Sequence, residues 1–389
     1  MKIHTPHIMG VCSLNKASKG SMVAIAAALL VSYAGYASLQ NHSPSASAAA
    51  HRVAKKHVAA GAIHLQETGS TLLFPLFQSW VPAYKKVASN VFITPAGTGS
   101  GVGIQDASSG AVQIGASDAF MNNGQLASAP GILNIPLAIS AQQIMYNVPG
   151  LKKSVHLHLT GNVIAQMFLG NIKYWNAPQI QALNKGIRLP HHAIVPVHRQ
   201  DGSGDTFLFT QFMTDTNAKW AKNVQFGTSV NWPQVTSALG AVGNNGVVQL
   251  ASQTPGSIAY VGISWLNNAL HQGLGEAELQ NKAGKFVLPT AATIKAAANM
   301  MIRHTPKDER ISLIYAPGAQ SYPIINYEYA IVNKKQANPA TATAVKNLLL
   351  WAISVKGGNK PMFMNKVHFL PLPASIAPLS RAQINQIKG

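Results

Sequence analysis

The chain has 389 residues, 47% of them hydrophobic and 11% charged, with 30 basic residues against 11 acidic and a formal net charge of +19. That length exceeds one typical domain and the apolar share fills substantial cores, so two lobes are expected. One cysteine excludes a disulfide framework, and basic residues dispersed in pairs (Lys55-Lys56, Lys152-Lys153, Lys334-Lys335), without interleaved aromatics, exclude a nucleic-acid stripe.

Residues 1–20 are polar and basic, Met22 to Ala34 is an alanine-rich apolar run, and Ala46-Ser47-Ala48 has the small-residue pattern of a secretory cleavage site. The run is short for a membrane span. Residues 1–48 therefore read as a signal peptide, with a retained anchor as the other reading, and residues 49–62 as a flexible leader. Cys12 precedes the apolar run, so it cannot accept a lipid there, and its removal leaves no thiol.

From Gly61 onward short β-like runs alternate with helical patterns, as expected of an α/β fold. Strands are expected at Val91 to Thr94, Val112 to Ile114, Ala193 to Val197 and Ile324 to Val332, with extended chain from Ile135 to Val148. Helical spacing marks Thr160 to Leu169, Ala177 to Leu183 and Thr341 to Ser354.

Three stretches set hydroxyl and glycine residues directly ahead of a helical run. They are Thr68-Gly69-Ser70-Thr71-Leu72, then Gly97-Thr98-Gly99-Ser100-Gly101-Val102, and then Arg199-Gln200-Asp201-Gly202-Ser203-Gly204-Asp205-Thr206. The second is followed by Ile114-Gly115-Ala116-Ser117-Asp118. N–H groups at a helix start lack an intrahelical acceptor and sit at the positive end of the dipole, so they favour an oxyanion. Arg199 adds a charged fork of donors. Taken singly, each turn is equally an ordinary capped helix, with Asp201 or Ser203 as N-cap in the third. Converging with one arginine and one carboxylate, they make an oxyanion receptor that needs no metal.

The ordered set resembles the phosphate-binding receptor of phosphate-specific ABC transporters, over nearly all of the chain after about residue 63. It includes Leu169 to Trp175 (L-G-N-I-K-Y-W), Gly243 to Val247 (G-N-N-G-V) and Pro255 to Val261 (P-G-S-I-A-Y-V). The resemblance implies a two-lobe α/β periplasmic-binding-protein fold, type II-like, with the ligand cleft between lobes joined by a two-stranded hinge. Crossings near Ile139 to Tyr146 and Tyr322 to Tyr327 would assign 63–140 and 322–389 to lobe I and 141–321 to lobe II. It further implies a periplasmic monomer that binds inorganic phosphate and hands it to an inner-membrane ABC permease and its ATPase complex, without cofactor or metal.

Carried over by position, the implied phosphate contacts are Thr71, Leu72, Thr98, Asp118, Arg199, Ser203, Gly204 and Asp205. Thr71, Thr98 and Ser203 offer hydroxyls, while Leu72, Gly204 and Asp205 offer backbone N–H. Asp118, acceptor-only when ionised, faces an oxyanion only if the ligand carries a proton, which admits protonated phosphate and rejects sulfate. Arg199 is expected to pair with Asp118 or Asp201 as well as the ligand. Two positions depart from the family pattern: Leu72 stands for a usual phenylalanine, and Asp205 for a usual hydroxyl residue.

No catalytic constellation competes. Gly97 to Gly101 has Gly99 where a nucleophile elbow needs serine, His156 and His158 suit neighbouring positions on one strand face, and His191-His192 reads as a loop pair. An enzyme is not expected; a secreted phosphate-ester-binding or phosphatase-like protein on the same scaffold is the alternative. The scarcity of acids suits an acidic compartment, where phosphate carries two protons and Asp205 would serve as a second acceptor. The other reading of Asp205 is a helix cap.

Overall fold

The computed structural model describes residues 61–389. The signal peptide reading and all but the last two residues of the leader lie outside the described residues. Among these, no helix is long and apolar enough to cross a membrane.

The architecture is an α/β sheet of ten strands, whose main path runs Val91–Gly97, Ile63–Gly69, Ile114–Ser117, Ile325–Asn333, Ile132–Tyr146, Ser257–Gly262, Val195–Arg199, Leu239–Ala241. The first three strands are mutually parallel, and so are the last three. Parallel neighbours need crossover connections, and helices Phe74–Lys85, Ser100–Ser109, Gly204–Thr216 and Gly243–Gln253 supply them.

The fifteen-residue strand Ile132–Tyr146 joins the two groups and is buried at every position. Its residues 132–141 pair antiparallel with Ile325–Asn333, and its residues Gln142 to Tyr146 pair with Ser257–Gly262. The change of partner falls at Ala141 and Gln142, where the Gln142 N–H donates to the Ile324 carbonyl at 3.0 Å. This is the junction between the two groups of parallel strands.

Packing follows the helical spacing. Helix Phe74–Lys85 buries Leu76, Phe77, Trp80 and Tyr84 on one face, each large side chain contributing roughly 1.5–3 kcal/mol of transfer free energy. The Trp80 Nε1–H donates to the Gly358 carbonyl at 2.8 Å, tying the C-terminal segment to this face.

Two expectations shift. The strand expected at Val112 to Ile114 runs over Ile114–Ser117, because the Val112 N–H still donates to the Asp106 carbonyl at the end of the preceding helix (3.3 Å). Only His158 of the expected histidine pair lies in a strand, His158–Leu159; His156 is drawn out of register by its Nδ1 contact with the Glu276 carbonyl (2.9 Å).

Candidate functional site

In open parallel sheets, ligands bind beyond the carboxyl ends of the strands. Here four such ends, Gly69, Gly97, Ser117 and Arg199, each lead into one of the turns singled out from the sequence. The helices that follow begin at Phe74, Ser100 and Gly204.

Asp118 is at the centre and 2% exposed. Its Oδ1 accepts from the Ser70 hydroxyl, while the Ser100 hydroxyl donates to Oδ2 at 3.4 Å and accepts the Asp118 N–H at 3.2 Å. Ser70 also accepts the N–H groups of Leu72 (3.1 Å) and Leu73 (2.9 Å), which fixes the turn into its helix. Helix Gly204–Thr216 abuts Asp118 end-on. A Cβ on Gly204 would overlap the Asp118 carboxylate, so only glycine permits this approach.

Ser203 is the N-cap of that helix, its Oγ accepting the Thr206 N–H at 3.3 Å. The N–H groups of Gly204 and Asp205 lie in the first turn, beyond reach of any i−4 carbonyl of the helix. The capping reading of Asp205 is thus corrected: with Ser203 in the cap position, the Asp205 carboxylate turns inward. Its Oδ2 accepts from Arg199 Nη1 (2.9 Å) and Asn244 Nδ2 (2.6 Å), and its Oδ1 from Gln142 Nε2 (3.1 Å).

Arg199, 2% exposed, also donates to Asp201, Nε to Oδ1 at 2.7 Å and Nη2 to Oδ2, which leaves one further N–H on each terminal nitrogen. Its carboxylate partners are therefore Asp201 and Asp205 rather than Asp118. Burial opposes the Arg199 charge, but the Asp201 hydrogen bond and the Asp205 and Asp201 charges outweigh it and raise its pKa. Burial also works against the Asp201 charge, yet Arg199 holds that carboxyl below the usual range. Burial, then the nearby Asp205, pushes Asp118 up to about 7 against the hydrogen bond from Ser70. Burial raises Asp205 as well, despite Arg199.

Contacts between the two halves of the sheet close over this cluster. The Gly101 N–H donates to the Gly202 carbonyl at 2.8 Å. Trp265 Nε1 donates to the Thr71 carbonyl (2.8 Å) and Ser264 Oγ to the Leu72 carbonyl (2.7 Å). Asn244 donates to Thr71 Oγ1 from its backbone N–H (3.1 Å) and its side chain (2.9 Å).

Thr71, Asp118, Arg199, Ser203, Gly204 and Asp205 therefore gather in one buried locus. Leu72 borders it, with its N–H engaged by Ser70. Thr98 stands apart: it is exposed, its N–H donates to the Gly69 carbonyl (2.9 Å) and its hydroxyl meets that of Thr68 (2.7 Å). Sequence reasoning missed Ser70, Ser100, Gln142, Asn244 and Glu328. The first two stood inside the quoted glycine turns and Asn244 inside the quoted G-N-N-G-V stretch; Gln142 carried no local signal, and Glu328 was visible only as a charge within an aromatic strand.

The sequence profile described as the PBP superfamily domain matches residues 45–356, and the chain belongs to that superfamily of two-lobe solute receptors. Within it, the phosphate-binding protein PstS of Methanocaldococcus jannaschii is 33% identical over 344 residues, covering 84% of this chain and 87% of that protein. The PstS of Pasteurella multocida is 33% identical over 315 residues, covering 81% and 88%. The chain is a member of the PstS family of phosphate-binding proteins. Solved structures share the fold at lower identity. The periplasmic phosphate-binding protein PfluDING aligns with a TM-score of 0.65 at 20% identity, over 82% of this chain and 93% of that one. The phosphate-binding protein of Stenotrophomonas maltophilia aligns with a TM-score of 0.62 at 19% identity, over 82% and 94%.

Proposed function

We propose that this protein is a receptor that binds inorganic phosphate between its two lobes and delivers it to a phosphate-specific ABC permease; it is a binding protein and not an enzyme. The observation that carries this is the meeting of Arg199, Asp118 and the first turn of helix Gly204–Thr216 at the carboxyl ends of parallel strands from both halves of the sheet. The proposed lobes are 63–140 with 322–389, and 141–321. Phosphate takes donors from Arg199, from the Gly204 and Asp205 N–H groups and from the Thr71 and Ser203 hydroxyls, and gives its own proton to Asp118. A fully ionised sulfate has none to give, so the acceptor at Asp118 works against it.

The finer parts of the reading are a monomeric receptor in the periplasm, partnered by an inner-membrane permease with its ATPase, in an acidic compartment. Titration calorimetry with phosphate, arsenate and sulfate tests the central claim. Heat with phosphate and arsenate but not sulfate is the expected result; no heat with phosphate, alongside tight nucleic-acid binding, defeats it.

A further inference from the structure

Asp201 and Asp205 pair with the guanidinium of Arg199, whose charge also reaches Asp118, and Glu328 stands against Asp118. Asp201 and Asp205 take its donors, and the Ser70 and Ser100 hydroxyls serve Asp118. Glu328 lies behind Asp118 on strand Ile325–Asn333 and is 0% exposed. Its Oε1 accepts from Ser140 Oγ (2.5 Å) and Asn326 Nδ2 (3.0 Å), and the same Asn326 nitrogen reaches the Asp118 carbonyl at 3.2 Å. The Oε2 of Glu328 is buried and accepts no hydrogen bond among the described residues.

An ionised carboxylate can only accept, and a buried charged oxygen without a donor is costly. A neutral acid asks only for an acceptor, and the carboxylate of Asp118 is the acidic side chain that faces Glu328. We propose that Glu328 is a neutral carboxylic acid that donates its Oε2–H to Asp118, and so acts as the positioning residue that keeps Asp118 an acceptor toward the protonated oxygen of phosphate. This rests on phosphate being the ligand.

The titratable groups around the pair are Asp118 after strand Ile114–Ser117, Asp205 on helix Gly204–Thr216 and Arg199 at the end of its strand. The long strand contributes only the uncharged Ser140. Tyr327 and Tyr329 leave the strand on its other face, toward Thr305 and the Glu309 carbonyl. Burial and the Asp118 charge both raise the Glu328 pKa well above its ordinary value, and the two groups share their proton as a pair. As pH rises through that value the proton leaves, two carboxylates oppose each other, and phosphate binding weakens.

Glu328→Gln keeps a permanent donor beneath Asp118, and Glu328→Leu removes it. Phosphate affinity of the native protein and both variants is measured by calorimetry from about pH 5.5 to about pH 8.5. Phosphate's own titration is common to all three and cancels in the ratios. Expected is a native-to-Gln affinity ratio that falls, and nowhere rises, as pH increases, with Glu328→Leu about 10-fold to 100-fold weaker than native at the acid end. A ratio that rises with pH, or equal losses in the two variants, overturns the proposal. A second readout does not need phosphate: the infrared carbonyl band of a neutral carboxylic acid, present in the native protein near pH 7 and reduced in Glu328→Gln. An unchanged band refutes a neutral Glu328 even if Glu328→Leu fails to fold. A changed band in a protein that binds no phosphate locates the failure in the ligand instead.

Discussion

Truncating Arg199 would strip charged contacts from two buried or half-buried carboxylates at once, Asp201 and Asp205. Losing one partner of a buried charge pair costs about 2–5 kcal/mol, so Arg199→Ala should weaken phosphate binding by at least about thirtyfold. Lys152→Ala and Lys334→Ala should change it little, because dispersed charges contribute only a screened field. Equal effects from all three in calorimetry would mean that binding is a general field effect and the cleft is misassigned. Asp205 argues in the other direction. Ionised, it occupies an Arg199 donor that phosphate needs; protonated in acid, it releases that donor. The affinity of Asp205→Thr relative to native should therefore rise with pH between about 4 and 7, and a flat ratio would rule out titration of Asp205 at the site. The sequence made the residue types of this site legible but not their pairing. The family pattern places Thr98 rather than Ser100 at the ligand; the Thr98 N–H prolongs the strand ladder to the Gly69 carbonyl, and the chain turns at Gly99, with φ of 96°. Whether Asp205 caps its helix or pairs with a guanidinium depends on where Arg199 points from a neighbouring strand, which local spacing does not encode.

At the level of elements, the site depends on how closely helix Ser100–Ser109 approaches the 201–202 turn. A Cβ on Gly101 would stand 3.0 Å from the Gly202 Cα and 3.2 Å from its carbonyl oxygen, tight for a methyl group and impassable for a branched side chain. Gly101→Val should therefore hold the two halves apart: phosphate affinity falls about tenfold or more, the radius of gyration by small-angle scattering rises, and thermal stability stays close to native. A native-like radius together with native affinity would show that this contact does not limit closure. Element types are largely readable because periodicity and glycine punctuation report local structure; the helix expected over Thr341 to Ser354, for example, runs over Pro339–Ala352. The partner change within Ile132–Tyr146 was not readable from pattern. All fifteen residues are buried, so no alternation marks where one half of the sheet ends, and the crossing came from the family resemblance alone.

Across the whole molecule, the scarce acids are mostly inside. Of the eleven, Glu67, Asp118, Asp205, Glu276, Glu309 and Glu328 are buried, and only Asp215 and Asp308 are exposed. Burial is the leading cause that raises the pKa of all six buried groups, with Glu276 and Glu309 each reaching about 7. A carboxyl whose folded pKa exceeds its unfolded value contributes stability that is fully present below the unfolded pKa and is lost as pH rises through the folded one. For Glu276 and Glu309 that window runs from about 4.5 to about 7, and each loses about 3 kcal/mol as pH rises through it. Opposing terms are few. Asp201, lowered against burial by Arg199, loses its contribution only in stronger acid, while His198 and His368, lowered by burial, weaken the fold as pH drops below about 6.5. The melting temperature without ligand, at about 0.15 M salt to screen the basic surface, should therefore be several degrees higher near pH 5 than near pH 8. A double variant, Glu276→Gln with Glu309→Gln, should flatten that slope, since an amide in each place cannot ionise. Stability that climbs steadily from pH 5 to pH 8, or a double variant with the native slope, would mean that the interior carboxyls do not govern the pH response and that the low acid content is no adaptation to an acidic medium.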